Sequence, residues 1–165
     1  MLDGALVSPF GAGEFLGTMN GGLRASAVES RPVCYSDIRL GVVVDVLLDD
    51  GLQRVLGFDV LCGDRAHRYL PLAACEVGDA SISVTSALVL MRQELDFYRE
   101  RGRALTAVRG FPVRRGACAL GNVLDLVFAP DGELLEVVIE TDEGRATVEA
   151  GPALLVGPDA LRPAV

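Results

Sequence analysis

Leu40-Gly41-Val42-Val43-Val44-Asp45-Val46-Leu47-Leu48 runs into Asp49-Asp50-Gly51, and the chain writes the same phrase again further on. Leu120-Gly121-Asn122-Val123-Leu124-Asp125 answers it at an offset of 80, followed by Pro130-Asp131-Gly132. Working outward, Pro32-Val33 returns as Pro112-Val113, Val77-Gly78 as Val156-Gly157, and Asp79-Ala80 as Asp159-Ala160. The order is kept and the offset drifts by a single residue. A spacing held through several short motifs marks two copies of one small fold. The shared residues Gly41, Asp45, Gly51, Gly121, Asp125 and Gly132 are turn and backbone formers, so the repeat speaks of architecture before chemistry.

Each copy reads as strand and turn. Val42 to Leu48 is a β-branched and leucine run that stops at Asp49-Asp50-Gly51, where glycine tolerates positive φ. Val55 to Cys62 follows as a second strand, Gly63-Asp64 turns, and Arg65 to Leu72 returns. In the second copy Ala117 to Phe128, Leu134 to Thr141 and Arg145 to Glu149 repeat the pattern, with a turn at Asp142-Glu143-Gly144. Short strands joined by Asp-Gly and Glu-Gly turns predict small antiparallel barrels, whose closure removes exposed edges. One helix is expected between them, over 85–101, stopped by Gly102. Val84, Leu88, Met91, Leu95 and Tyr98 fall on one arc of that helix and are expected to face the core. Leu90 and Phe97 lie seven apart on another face and are the candidate interaction residues. The organisation expected is therefore a glycine-rich arm over 1–30 carrying Phe10, Phe15 and Leu16, a first barrel over 31–84, the helix over 85–102 and a second barrel over 103–165.

Composition narrows the function classes. Half of the 165 residues are apolar, which fits a globular chain. Copies this small bury a limited core, so each is expected to lean on the other or on a partner. All fifteen basic residues are Arg, and the formal net charge is −8, which opposes a phosphate backbone on average. Nucleic-acid binding is therefore disfavoured. Cys34, Cys62, Cys75 and Cys118 form no Cys-x-x-Cys pair, so they read as reduced thiols and not as metal ligands. The first thirty residues lack the pattern of an export signal. The longest apolar stretch, 82–91, is too short to span a bilayer. A cytoplasmic protein without membrane insertion is expected.

The chemistry-bearing residues read as structural. Asp45 and Asp125 are symmetric, and each is expected to bond nearby backbone amides and not to share a substrate. Asp45, Asp49 and Asp50 make a solvated turn and lack a further spaced set of oxygen ligands. His67 is the only histidine, and no acidic orienter accompanies it or the neighbouring Cys62 and Cys75 in sequence. No catalytic residue, cofactor or metal is assigned.

Leu40 to Val46 with Asp50-Gly51, Arg68-Tyr69-Leu70-Pro71-Leu72, and Val77 to Ile82 resemble the PRC-barrel family. So do Arg109-Gly110-Phe111-Pro112-Val113, Leu120 to Asp125 and Asp131-Gly132 in the second copy. That family comprises small β-barrels found in the photosynthetic reaction-centre H subunit, in a ribosome-maturation factor and in many prokaryotic proteins. The second copy departs late, with Val148-Glu149-Ala150-Gly151-Pro152 standing where the first has Tyr69-Leu70-Pro71. The resemblance implies a non-catalytic module that docks onto proteins or RNA-protein particles, and no shared activity. Three functions follow as expectations: an adaptor acting through a protein partner or self-association, a ribosome-associated factor, or a small-ligand binder at a barrel mouth. The short linker 102–106 tilts the assembly towards a homodimer through Leu90 and Phe97.

Overall fold

The structure, a computed structural model, describes residues 22–157. Phe10, Phe15 and Leu16 of the expected arm, and the Asp159-Ala160 end of the repeat, lie outside the described residues. The first copy begins with β1 (Leu23–Arg24) and the short helix α1 (Ala25–Val28). It continues through β2 (Pro32–Tyr35), β3 (Ile38–Leu48), β4 (Val55–Cys62), β5 (His67–Pro71), β6 (Cys75–Val77) and β7 (Ile82–Val84). Helix α2 (Arg92–Arg101) leads to the second copy. That copy holds β8 (Arg103–Ala104), α3 (Leu105–Val108), β9 (Pro112–Arg115), β10 (Cys118–Phe128), β11 (Leu134–Thr141), β12 (Gly144–Glu149) and β13 (Leu154–Val156). The fold is mainly β, in two sheets ordered β5-β4-β3-β2-β7-β6 and β12-β11-β10-β9-β13. Pairing is antiparallel except where β7 runs parallel to β2.

The repeat holds at the level of register. Gly41 and Gly121 are each the fourth residue of an eleven-residue strand, and Asp45 and Asp125 each the eighth. A β-bulge falls just before each aspartate, between Val43 and Asp45 and between Val123 and Asp125. At both glycines a Cβ would overlap the carbonyl of the neighbouring strand, Leu61 O or Glu140 O, so only glycine lets the strands approach. The offset drifts because the turns differ in length: 49–54 against 129–133, and 63–65 against 142–143. Tyr69 opposite Asp59 is therefore matched by Thr147 opposite Val138, one place earlier than the sequence alignment suggests.

The two copies trade their first segments. β1 pairs with β10 of the second copy, Leu23 opposite Phe128. In mirror fashion β8 pairs with β3 of the first, Arg103 opposite Leu48. The expected arm boundary at residue 30 thus gives way, because 23–29 is the first copy's version of 103–109. The hairpin loops also meet: Val55 N donates to Gly132 O at 2.7 Å and Leu134 N to Gln53 O at 3.1 Å. As a result one apolar core runs through both copies, joining Val28, Val43, Phe58 and Leu70 to Leu105, Val123, Phe128 and Ile139.

The expected helix is shorter than its periodicity suggests. Residues 82–84 are drawn into β7, and Ser86 Oγ accepts from Leu88 N at 3.1 Å to start a single 3₁₀ turn at Ala87–Val89. Met91 then pairs with Tyr69, N to O at 2.9 Å and O to N at 2.8 Å, before α2 begins. Tertiary pairing overrides local propensity here. Most of the arc packs as expected: Val84 lies in the main core, Leu95 is buried with Leu47 and Tyr69 and has Met91 against them, and Tyr98 stacks on Tyr69 at 4.2 Å between ring centroids. Leu88 is instead 89% exposed. Gly102 ends α2 in an extended conformation, and its backbone lies so close to Leu48 O that a Cβ would overlap it. Among the described residues no helix is long and apolar enough to cross a membrane.

Candidate functional site

Asp45 and Asp125 each serve the opposite copy. The bulge lets Asp125 accept from its neighbour Leu126 N at 2.8 Å while its carboxylate reaches Ser26. It takes Ser26 N at 3.0 Å and the Ser26 hydroxyl in a very short bond, with Arg24 Nε 3.6 Å away. Asp45 does the same for Thr106, accepting its amide at 3.3 Å and its hydroxyl at 2.6 Å, and bonds Val46 N at 2.9 Å. Each carboxylate thus caps the short helix of the other copy, as an N-cap side chain would. The expectation of backbone-amide partners describes this arrangement, though the amides at 26 and 106 come from across the molecule. Glu29 and Arg109, equivalent positions of opposite charge, pair across the same junction, and that bond holds the Arg109 pKa above its ordinary value.

These aspartates hold the junction between the copies, and their removal is expected to have a measurable cost. Asp125 is buried at 6% exposure, whereas Asp45 is only half-buried. Asp125→Ala strands the Ser26 amide and hydroxyl and is expected to lower stability by about 1–3 kcal/mol. Asp45→Ala is expected to cost less, and paired urea titrations of the two variants check the ordering.

His67 has the acidic neighbour that the sequence did not reveal. Asp59, 4% exposed in the middle of β4, lies 2.8 Å from His67 Nδ1 on β5 and also pairs with Arg99 of α2. A carboxylate in an apolar strand is costly unless paired, and here two partners satisfy it. The signal lay in the strand itself, where one Asp interrupts Val55 to Cys62. The arrangement fastens α2 to the sheet beside the Tyr69–Tyr98 stack. The second copy has Val138 at the equivalent position and no helix over it among the described residues.

The cysteines are free and dispersed. Burial pushes the Cys75 thiol up to about 12, and its Sγ donates to Leu72 O at 3.4 Å, so it stays protonated at neutral pH. Among the described residues no group of three or more His, Cys, Asp or Glu side chains converges as a metal site.

An open apolar groove of about 460 Å³ lies on the first copy. Leu40, Ala87, Leu88, Leu90 and Cys62 line it. Asp64 and Arg68 form its polar rim, paired at 2.7 Å, and Arg68 holds the Asp64 carboxyl well below the usual carboxylate range. Ile38, two residues before Leu40 on β3, is also an exposed large hydrophobic residue. The structure does not bring the sequence-derived pair Leu90 and Phe97 onto one helix face. Leu90 precedes α2 and lines the groove, while Phe97 is 49% exposed on the helix with Arg101 over its ring at 5.2 Å. Gly51 sits in its turn without a positive φ, which falls on Leu52 instead.

No protein-family model matches this chain, and no curated protein matches it.

Proposed function

We propose that this chain is a non-catalytic protein-interaction module built from two PRC-type barrels fused through one core. The observation that carries this reading is the groove on the first copy. Leu88 stands almost wholly in water beside a concave apolar wall of Leu40, Ala87 and Leu90 with a charged rim. A leucine held so exposed next to a groove is a contact residue in waiting, since burying its side chain gains roughly 1.5–3 kcal/mol. An apolar centre with a polar rim is the ordinary anatomy of a protein interface. The partner chemistry that fits is a protein segment with a bulky apolar side chain and a charge to meet the Asp64–Arg68 pair. Four free thiols agree with work in a reducing compartment such as the cytoplasm.

The test places a photo-crosslinking residue at 88 and, as a control, at exposed position 153 in the native cell. A protein adduct formed from 88, absent from 153 and lost in Leu40→Asp, is expected. Equal labelling at the two positions, or an adduct with RNA, removes the reading. RNA absorbance or a bound chromophore in the purified protein would favour the ribosome-associated or ligand-binding alternative.

A further inference from the structure

The edge of the second sheet is unlike the edge of the first. In the first copy the outer side of β5 is closed, because Tyr69 exchanges two backbone hydrogen bonds with Met91 and α2 lies over the junction. Thr147 on β12 is the equivalent of Tyr69 by register. Among the described residues β12 is the terminal strand of its sheet, and nearly all of it is exposed. Ala150 N donates to Leu135 O at 2.9 Å, which fixes the parity of the ladder. Even-numbered residues turn their backbone groups towards β11, and Arg145, Thr147 and Glu149 turn theirs outward, where the Glu149 carbonyl already accepts from Arg115 Nη2 at 2.8 Å. The position that Met91 closes with a single bridge in the first copy is, among the described residues of the second, an open strand edge at Arg145 and Thr147.

We infer that β12 pairs antiparallel with β12 of a second copy of this chain, about a two-fold axis through Thr147. This rests on the interaction-module reading only in making self-association part of it, and it uses a different face from the groove. Three features of the strand select a second copy as the occupant. First, the outward residues are self-complementary: with Thr147 opposite Thr147, Arg145 falls opposite Glu149 of the other copy, and Glu149 opposite its Arg145. Second, all three are positions of the same parity, so the ladder closes without a slip, the Glu149 carbonyl being shared with Arg115 of its own chain. Third, Glu149 stands opposite Glu136 within its own sheet, a like-charge pair that is unfavourable across strands. The second copy's arginine relieves that repulsion. A partner strand without a cation opposite Glu149 leaves it in place, so the same residues that invite a second copy discourage edges of that kind. The contact is short and belongs at the weak, transient end of protein interfaces.

Sedimentation equilibrium on the intact chain over a wide concentration range tests this. The wild type is expected to pass from one-chain to two-chain mass. Thr147→Pro removes an outward amide without breaking a bond to β11, and is expected to hold the mass at one chain. Arg145→Glu and Glu149→Arg each set like charges face to face and are expected to weaken association about tenfold. The double exchange R145E with E149R restores opposite pairs and is expected to return wild-type affinity, which keeps the test valid even if the proline variant misfolds. One-chain mass for the wild type at every concentration overturns the inference. So does a two-chain mass that none of these changes alters, or a double exchange that fails to rescue. Leu88→Asp is expected to leave this equilibrium alone, so failure here and failure of the groove reading are separately visible.

Discussion

Phe58→Ala and Phe128→Ala are each expected to lower stability by about 3–5 kcal/mol, and to shift one and the same unfolding transition. Both rings are fully buried, one on β4 of the first copy and one on β10 of the second, and both belong to one continuous core. Truncating a buried ring forfeits its transfer energy and leaves a cavity that the surrounding β-sheets cannot collapse to fill. Against a total of about 5–15 kcal/mol for a typical protein, either change is severe. Two self-sufficient barrels would behave differently, since a lesion in one would leave the other's transition in place. Denaturant unfolding followed at once by far-ultraviolet dichroism and tyrosine fluorescence distinguishes the cases. The tyrosines, at 35, 69 and 98, all lie in the first copy or α2. If Phe128→Ala moves the dichroism curve but not the tyrosine curve, the shared core does not couple the copies.

Gly132→Ala is expected to cost about 2–4 kcal/mol, while Gly51→Ala at the corresponding turn stays within about 0.5 kcal/mol of wild type. The sequence treats these glycines as equals, and the structure does not. Gly132 has φ +97° and accepts from Val55 N, with Val55 O and Leu72 closing over it. A methyl group there meets both an unfavourable backbone region and a fixed carbonyl. Gly51 faces open space, with Gln53 Cγ the nearest atom at 3.7 Å from a Cβ. Thermal unfolding of the two variants side by side checks the contrast, and equal losses would show that the 129–133 loop is not wedged between the copies.

The repeated phrase around Gly41 and Gly121 was legible because strand approach and the bulge demand the same residues in both copies. Strand limits such as Val55–Cys62 and Leu134–Thr141 follow from alternation and turn residues alone. The partners of Asp45 and Asp125 are not legible in the same way. Ser26 and Thr106 share only a hydroxyl, and the surrounding 23–29 and 103–109 share little beyond Ala27-Val28 with Ala107-Val108. Extending the offset of 80 backwards would have aligned them. The helix is shorter than its pattern for another reason. Residues 84–91 carry helical periodicity, yet their backbone groups find better partners in β2 and Tyr69. Asp59 has Val138 as its counterpart, so the repeat gives it no echo in the sequence.

The traded segments impose an order on synthesis. A nascent chain reaches Leu48 and Asp45 long before Arg103 and Thr106 exist to cover them. The first copy therefore leaves the exit tunnel with one strand flank bare and one carboxylate uncapped. Meanwhile Leu23 to Glu29, made first of all the described residues, waits for β10 across about a hundred residues of chain. Contacts that distant in sequence slow the search for the native state. Completion is thus deferred to the arrival of the second copy, and a chain interrupted before residue 103 is left with an open sheet instead of a finished half.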